Sequence, residues 1–194
     1  MLILASASPR RHDLLLAAGI DHIVRPASIP ETLRPGERPL DFVRRLASEK
    51  AHAVASANPA AMVLGADTAV CVDEAVFGKP ADLADARRML RCLSGRDHLV
   101  HTGICFVSPQ GQIVDSATTR VAVVSLTPEE IEEYVESGEA LDKAGAYGIQ
   151  GRFSKFVSSI HGCYQNVVGL PVSLVYSHWK ELVKTYGSST STGA

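Results

Sequence analysis

Four stretches of the chain carry side chains able to bind an anion or activate water. Ser6-Ala7-Ser8-Pro9-Arg10-Arg11 sets two hydroxyls and two guanidiniums around a Ser-Pro junction. A helix starting there offers free N–H groups and its dipole to an anion, and arginine's planar fork suits phosphate oxygens. The same residues also describe an ordinary helix start with solvated arginines. Gly65-Ala66-Asp67-Thr68 follows an apolar run. A carboxylate just after such a strand end suits a metal ligand or a general base. An Asx-turn satisfying the local backbone is the plainer alternative. Lys79 lies between Gly78 and Pro80 in a constrained turn, as an anion contact or as an exposed turn lysine. Asp142 to Gly151 reads DKAGAYGIQG. Its glycines permit close backbone approach, and Lys143 and Gln150 supply polar groups. A flexible surface loop is the alternative, although such loops seldom carry Ile and Tyr at fixed intervals between glycines.

The elements that must position these groups follow from periodicity. Leu2 to Ala5 reads as a buried strand. Ser8, Pro9 and Gly19 then suit the N-cap, first and C′ positions of a helix, which puts both arginines in its first turn. Ala27 to Glu37, with Pro26, Pro30, Pro35 and Gly36 around Glu31, reads as a loop. Pro39 to Ala57 reads as a helix whose stripe is Val43, Leu46, Ala47, Ala51 and Val54. Lys50 fills the missing place in that stripe and so points inward, where an ammonium needs a partner or a pocket. Met62 to Leu64 reads as a strand ending at Gly65. Ala69 to Val72 and Ala75 to Phe77 flank a turn at Asp73-Glu74. Asp82 caps a helix to Leu93, whose Arg87, Arg88 and Arg91 make a solvated face. Leu99 to Val107 and Ile113 to Val124 form two strands. Thr127-Pro128 with Glu130 is a capping box. Phe156 to Ile160 reads as a strand and Pro171 opens a last helix. This order predicts one domain over residues 1–186, a mixed, twisted α/β sheet flanked by helices, and a disordered tail over 187–194.

Composition narrows the function. The chain has 194 residues, of which 46% are hydrophobic and 21% charged, which suits one globular domain and excludes a disordered chain or a coiled coil. A net charge of −2 and 6% aromatics argue against a nucleic-acid polymer as partner. No apolar run reaches the ~20 residues of a membrane helix. The four cysteines form no CxxC pair and read as reduced thiols of a cytoplasmic protein. The seven histidines show no H-x-x-x-H pair, and none is assigned to a metal.

Together these segments resemble the Maf family of nucleotide pyrophosphatases. The matching stretches are ASASPRR from Ala5, SEKA from Ser48, LGADT from Leu64, GKP from Gly78 and MLRCLSGRDHLVHTG from Met89. DKAGAYGIQG from Asp142 and YQNVVGLP from Tyr164 complete the set. The resemblance runs from Leu4 to about Tyr176, and the order and spacing of the pieces are its specific part. Cys163 departs from it, because relatives usually carry serine or another small polar residue there.

The resemblance implies an inosine-triphosphatase-like fold and hydrolysis of dTTP and UTP, and of modified pyrimidine nucleotides, to the monophosphate and pyrophosphate. It implies Asp67 as the proton acceptor and, with Glu31, as the holder of a divalent metal, Mg²⁺, Mn²⁺ or Co²⁺. It implies Arg10, Thr68 and Gln150 for base selection and Ser6, Arg11, Lys50 and Lys79 for phosphate binding. Lys143 is a further cation beside them. A homodimer is also implied. The branch acting on 7-methyl-GTP carries a glutamate where Gln150 stands. A primary amide offers the donor and acceptor that a thymine or uracil edge requires, whereas a carboxylate suits the adjacent donors of guanine. A different class of function, a nucleotide-sensing inhibitor of cell division at septum formation, would use the same pocket without turnover.

Overall fold

The strands are Leu2–Leu4 (β1), His22–Val24 (β2), Met62–Val72 (β3), Ala75–Phe77 (β4), Asp97–Ser108 (β5), Gly111–Val123 (β6) and Val157–His161 (β7). In a computed structural model they join into one seven-stranded sheet of order β2-β1-β3-β5-β6-β7, with β4 also beside β3. β1 runs parallel to β2 and β3, and the remaining pairs are antiparallel. The helices are Pro9–Ala17 (α1), Pro39–Ala55 (α2), Leu83–Leu93 (α3), Pro128–Glu136 (α4), Tyr164–Val168 (α5) and Val172–Ser189 (α6). The structure describes residues 1–73 and 75–189, with the backbone alone for 185–189. The expected mixed α/β sheet with flanking helices is what forms.

Alternation along β3 assigns its two faces. Val63, Ala69 and Cys71 pack with the α2 residues Val43, Leu46, Ala47, Ala51 and Val54. Leu64 and Ala66 pack on the other face with Leu15 of α1 and Val172 and Val175 of α6. Further along that face Val70 and Val72 join Leu90 of α3 and Ile131 of α4.

Two glycines bring α2 unusually close to the sheet. A Cβ on Gly65 would lie 2.1 Å from the Ala47 carbonyl oxygen, and one on Gly103 would lie 2.3 Å from that of Val43. Gly103 stands opposite Asp67 across the β3–β5 ladder. The helix backbone therefore rests on the glycines that flank Asp67, one along the strand and one across it.

The other edge of β3 has a gap. β1 pairs with Met62, Val63 and Leu64, and β4 pairs with Val70, Cys71 and Val72. Between them β3 is paired only to β5, because β1 ends at Leu4 and the chain turns away into α1. This corrects the expected strand end at Gly65. Asp67 sits in mid-strand, and it is the neighbour strand that ends.

Local signals held in part. Thr127 and Glu130 form the reciprocal capping box, and the Asp82 carboxylate accepts from the Asp85 N–H. Ser8 occupies the N-cap of α1 without a side-chain cap bond, so the first-turn N–H groups lack that partner. Arg87 reaches across to Glu132 of α4 and Arg88 pairs with Asp85, so this face is braced as well as solvated. The expected strand at 156–160 is displaced by one residue, and β2 and α5 lie where no element was expected. Residues 187–189, placed in the tail by sequence, continue α6, and 190–194 lie outside the described residues.

If the two glycines set the helix-to-sheet distance, Gly103→Ala will lower stability by about 1–3 kcal/mol through overpacking. Urea unfolding measures this, and an unchanged midpoint would contradict the close approach.

Candidate functional site

The gap in β3 opens onto a cleft of about 820 Å³, within the range of about 300–1,000 Å³ usual for small-molecule sites. Every residue singled out in the sequence lines it: Ser6, Arg10 and Arg11 from the β1–α1 turn, Glu31 from the following loop, and Lys50 from α2. Asp67 and Thr68 come from β3, Lys79 from the turn after β4, and Lys143 and Gln150 from the glycine-containing loop. Three layers of the fold thus deliver side chains to one space.

On the α2 side, Lys50 joins two carboxylates. Its Nζ lies 2.6 Å from Asp67 Oδ1 and 2.6 Å from Glu31 Oε1. Lys50 and Asp67 are buried, while Glu31 is half exposed. Burial pushes the Asp67 carboxyl above its ordinary range, and the charges of Lys50 and Arg11 only partly offset that push. Asp67 Oδ2 and Glu31 Oε2 have no hydrogen-bond partner among the described residues. The inward lysine anticipated from the helical stripe therefore has its partner.

The loop carrying Glu31 is held by Arg45, on the flank of α2 away from the stripe. Arg45 donates to both oxygens of Glu37 at 2.6 and 2.7 Å, and to the Thr32 carbonyl at 3.0 Å. The Arg45 guanidinium holds the Glu37 carboxyl down at about 2. Sequence periodicity left Arg45 without a role, because its contacts lie in a loop that periodicity does not read.

On the opposite face of β3, Arg11 is a buried brace. It donates to the Gly169 carbonyl, Ser6 Oγ, the Ala66 carbonyl and Thr68 Oγ1 at 2.8, 3.0, 2.9 and 3.0 Å. The bond to Ala66 fills part of the place that a neighbouring strand would occupy. Thr68 and Thr102 share a hydrogen bond of 2.9 Å, and Thr102 Oγ1 reaches the Asn166 carbonyl. Burial lowers the Arg11 pKa, opposed by Asp67 and Glu31. Most of the Arg11 donors are spent inside the protein, while Lys79 is exposed and makes no ion pair among the described residues.

The glycine-containing loop is ordered by its own side chains, so its flexible-surface alternative fails. Tyr147 and Ile149 are buried in the core cluster of α3 and α4. The Tyr147 hydroxyl and His98 Nε2 are 2.8 Å apart, the Gly148 N–H donates to Tyr134 Oη, and the Gly145 N–H donates to the Gly78 carbonyl. Gly145 has φ +70°, and a Cβ there would meet Val70 at 2.8 Å. That contact seats the loop against β3 and beside the Lys79 turn. Gln150 is exposed to the cleft. Asp142, which the sequence reading passed over, binds both Arg10 and Lys143.

A mixed α/β sheet with a nucleotide-sized cleft, lined by cations and one buried carboxylate, is the architecture of a phosphate-ester or anhydride handler. The family model for the Maf-like protein matches residues 1–182, and the chain belongs to that family. A dTTP/UTP pyrophosphatase of Koribacter versatilis is 54% identical over 175 residues, covering 90% of this chain and 91% of that protein. One from Bacillus anthracis is 44% identical over 180 residues, covering 93% and 94%. The solved Staphylococcus aureus Ham1 protein aligns with a TM-score of 0.45 at 17% identity, covering 63% of this chain and 71% of that one.

The buried Lys50–Asp67 pair makes a direct prediction. Followed by ¹³C NMR, the Asp67 carboxyl will titrate above the ordinary aspartate value of about 3.9. Lys50→Met will move it higher. A value at or below the ordinary one would contradict the geometry.

Proposed function

We propose that the protein hydrolyses dTTP and UTP to the monophosphate and pyrophosphate, with Asp67 as general base. The observation that carries this reading is Asp67 itself, a buried carboxylate with a raised pKa and one free oxygen at the gap in β3. Its relatives named dTTP/UTP pyrophosphatase support the substrate class.

Asp67 Oδ2 takes a proton from water as the water oxygen bonds to one phosphorus of the α–β anhydride. The bond from that phosphorus to the bridging oxygen then breaks, giving the monophosphate and pyrophosphate. A base with a pKa raised toward working pH accepts that proton more readily than an ordinary aspartate. Lys50 holds the carboxylate in place, and Lys79, which makes no ion pair among the described residues, is available to a phosphate. Fixed cations of this kind offset charge growing on the leaving group. Ser6 and Arg11 set the floor of the phosphate side through their mutual hydrogen bond. Thr68, Arg10 and Gln150 take the base side, where the Gln150 amide offers a donor and an acceptor together.

The donor set also fits a divalent metal. Glu31 and Asp67 each keep a free oxygen, and no group of three or more His, Cys, Asp or Glu suited to a metal occurs among the described residues. That suits an ion such as Mg²⁺, Mn²⁺ or Co²⁺ held by two carboxylates and completed by water and substrate phosphates, not an all-protein cage. When bound, such an ion polarises the phosphates and neutralises their charge.

The same reading places the protein in the cytoplasm as a homodimer. The four free cysteines support the location, and no helix among the described residues is long and apolar enough to cross a membrane. Light scattering in solution tests the dimer.

A nucleotide panel scored for pyrophosphate release, with and without divalent metal, tests the activity. UTP and dTTP will be turned over and ATP will not. Asp67→Asn will lower kcat by at least about 100-fold with the fold intact by circular dichroism. Gln150→Glu will weaken pyrimidine use. Full activity in Asp67→Asn would overturn the assigned base.

A further inference from the structure

Asp142 fastens two cations of the cleft with one side chain. Its Oδ2 accepts from Arg10 Nη1 at 2.8 Å, its backbone carbonyl accepts from Arg10 Nη2 at 3.4 Å, and its Oδ1 accepts from Lys143 Nζ at 2.5 Å. Lys143 Nζ also donates to the Glu139 carbonyl at 2.7 Å. The Lys143 stem lies on Gly148, where a Cβ would come within 2.6 Å of Cε. The clasp thus ties the first turn of α1 to the loop that bears Gln150.

The clasp does little for stability. The Arg10 and Asp142 side chains keep 28% and 59% of their exposure, and exposed ion pairs contribute at most about 1 kcal/mol. Its effect is on geometry and charge. Two attachments on a planar guanidinium fix its plane, and the remaining N–H groups stay available. The Asp142 carboxylate offsets the charges of Arg10 and Lys143, whereas Lys79 meets no carboxylate among the described residues. A compensated guanidinium is a poorer ligand for a phosphate and a good donor to a neutral carbonyl, such as those of uracil and thymine.

We propose that Asp142 is a positioning residue for base selection: it holds Arg10 against the Gln150 loop so that both read the pyrimidine edge, with Lys143 as a brace of the clasp. This rests on the pyrimidine nucleotide reading above and adds to it a residue acting through Arg10. It also moves Lys143 from the phosphate side to the base side.

The test compares the wild type with Asp142→Ala, Asp142→Asn, Arg10→Ala and the Arg10→Ala/Asp142→Ala double variant, using the full chain. KM and kcat for UTP are measured alongside inhibition by inorganic tripolyphosphate, which has no base. Asp142→Ala will raise KM for UTP about tenfold, the loss expected for a charge-assisted hydrogen bond. Tripolyphosphate inhibition will stay unchanged. Asp142→Asn, which can still accept from Arg10, will fall between. The double variant will be no worse than Arg10→Ala alone. Equal weakening of tripolyphosphate and UTP, an unchanged KM, or additive losses would each overturn the assignment. Absence of UTP turnover in the wild type would overturn the pyrophosphatase reading alone. Calorimetric binding of UTP and tripolyphosphate to the same variants would still report on Asp142.

Discussion

The Lys50 ammonium, set between Asp67 and Glu31, is the contact on which the rest of the site depends. Taking two charges out of water is costly, and removing one partner of a buried pair typically costs about 3–5 kcal/mol. The fold meets that constraint by bringing α2 down onto Gly65 and Gly103, so that the buried Lys50 reaches Asp67 on the strand. A Cβ at either glycine would meet the helix backbone, so a side chain there would push α2 off the sheet. Close packing and the placing of a buried charge are therefore one problem, met at two glycines.

The gap in β3 is the second half of that solution. A carboxylate in a fully paired central strand faces a covering helix and no ligand. Here the neighbour strand ends at Leu4, Arg11 supplies a hydrogen bond to the exposed Ala66 carbonyl, and the chain that leaves β1 forms a wall of the cleft. Asp67 and Thr68 point to opposite faces by strand alternation, yet both line the cleft, because it opens at the strand's free edge. The proposed division of labour follows from this: proton transfer on the α2 face, hydrogen-bonded recognition on the other.

Much of this was legible in the sequence, and what was not has a common physical cause. The inward Lys50 could be read because helical period is local, as could the Thr127 box, and Tyr147 and Ile149 spoke against a floppy loop. The mid-strand place of Asp67 could not, because a gap in strand pairing depends on where a distant strand stops. The role of Asp142 was hidden for a similar reason. An aspartate between a leucine and a lysine on a glycine-containing loop looks solvated until α1 brings Arg10 to it. In the sequence Arg11 reads as a phosphate-binding cation, and its burial as a brace needed the Gly169 and Ala66 carbonyls, which no local pattern connects to it.

The central claim is that Asp67, raised by burial and held by Lys50, accepts the proton in the reaction. The most direct measurement is the pH dependence of kcat/KM for UTP. A base works only when ionised, so activity rises with pH through the raised pKa and is lost below it. The account predicts an acid limb above the ordinary aspartate value that moves further up in Lys50→Met. A limb at or below that value, or one that Lys50→Met leaves in place, would contradict it.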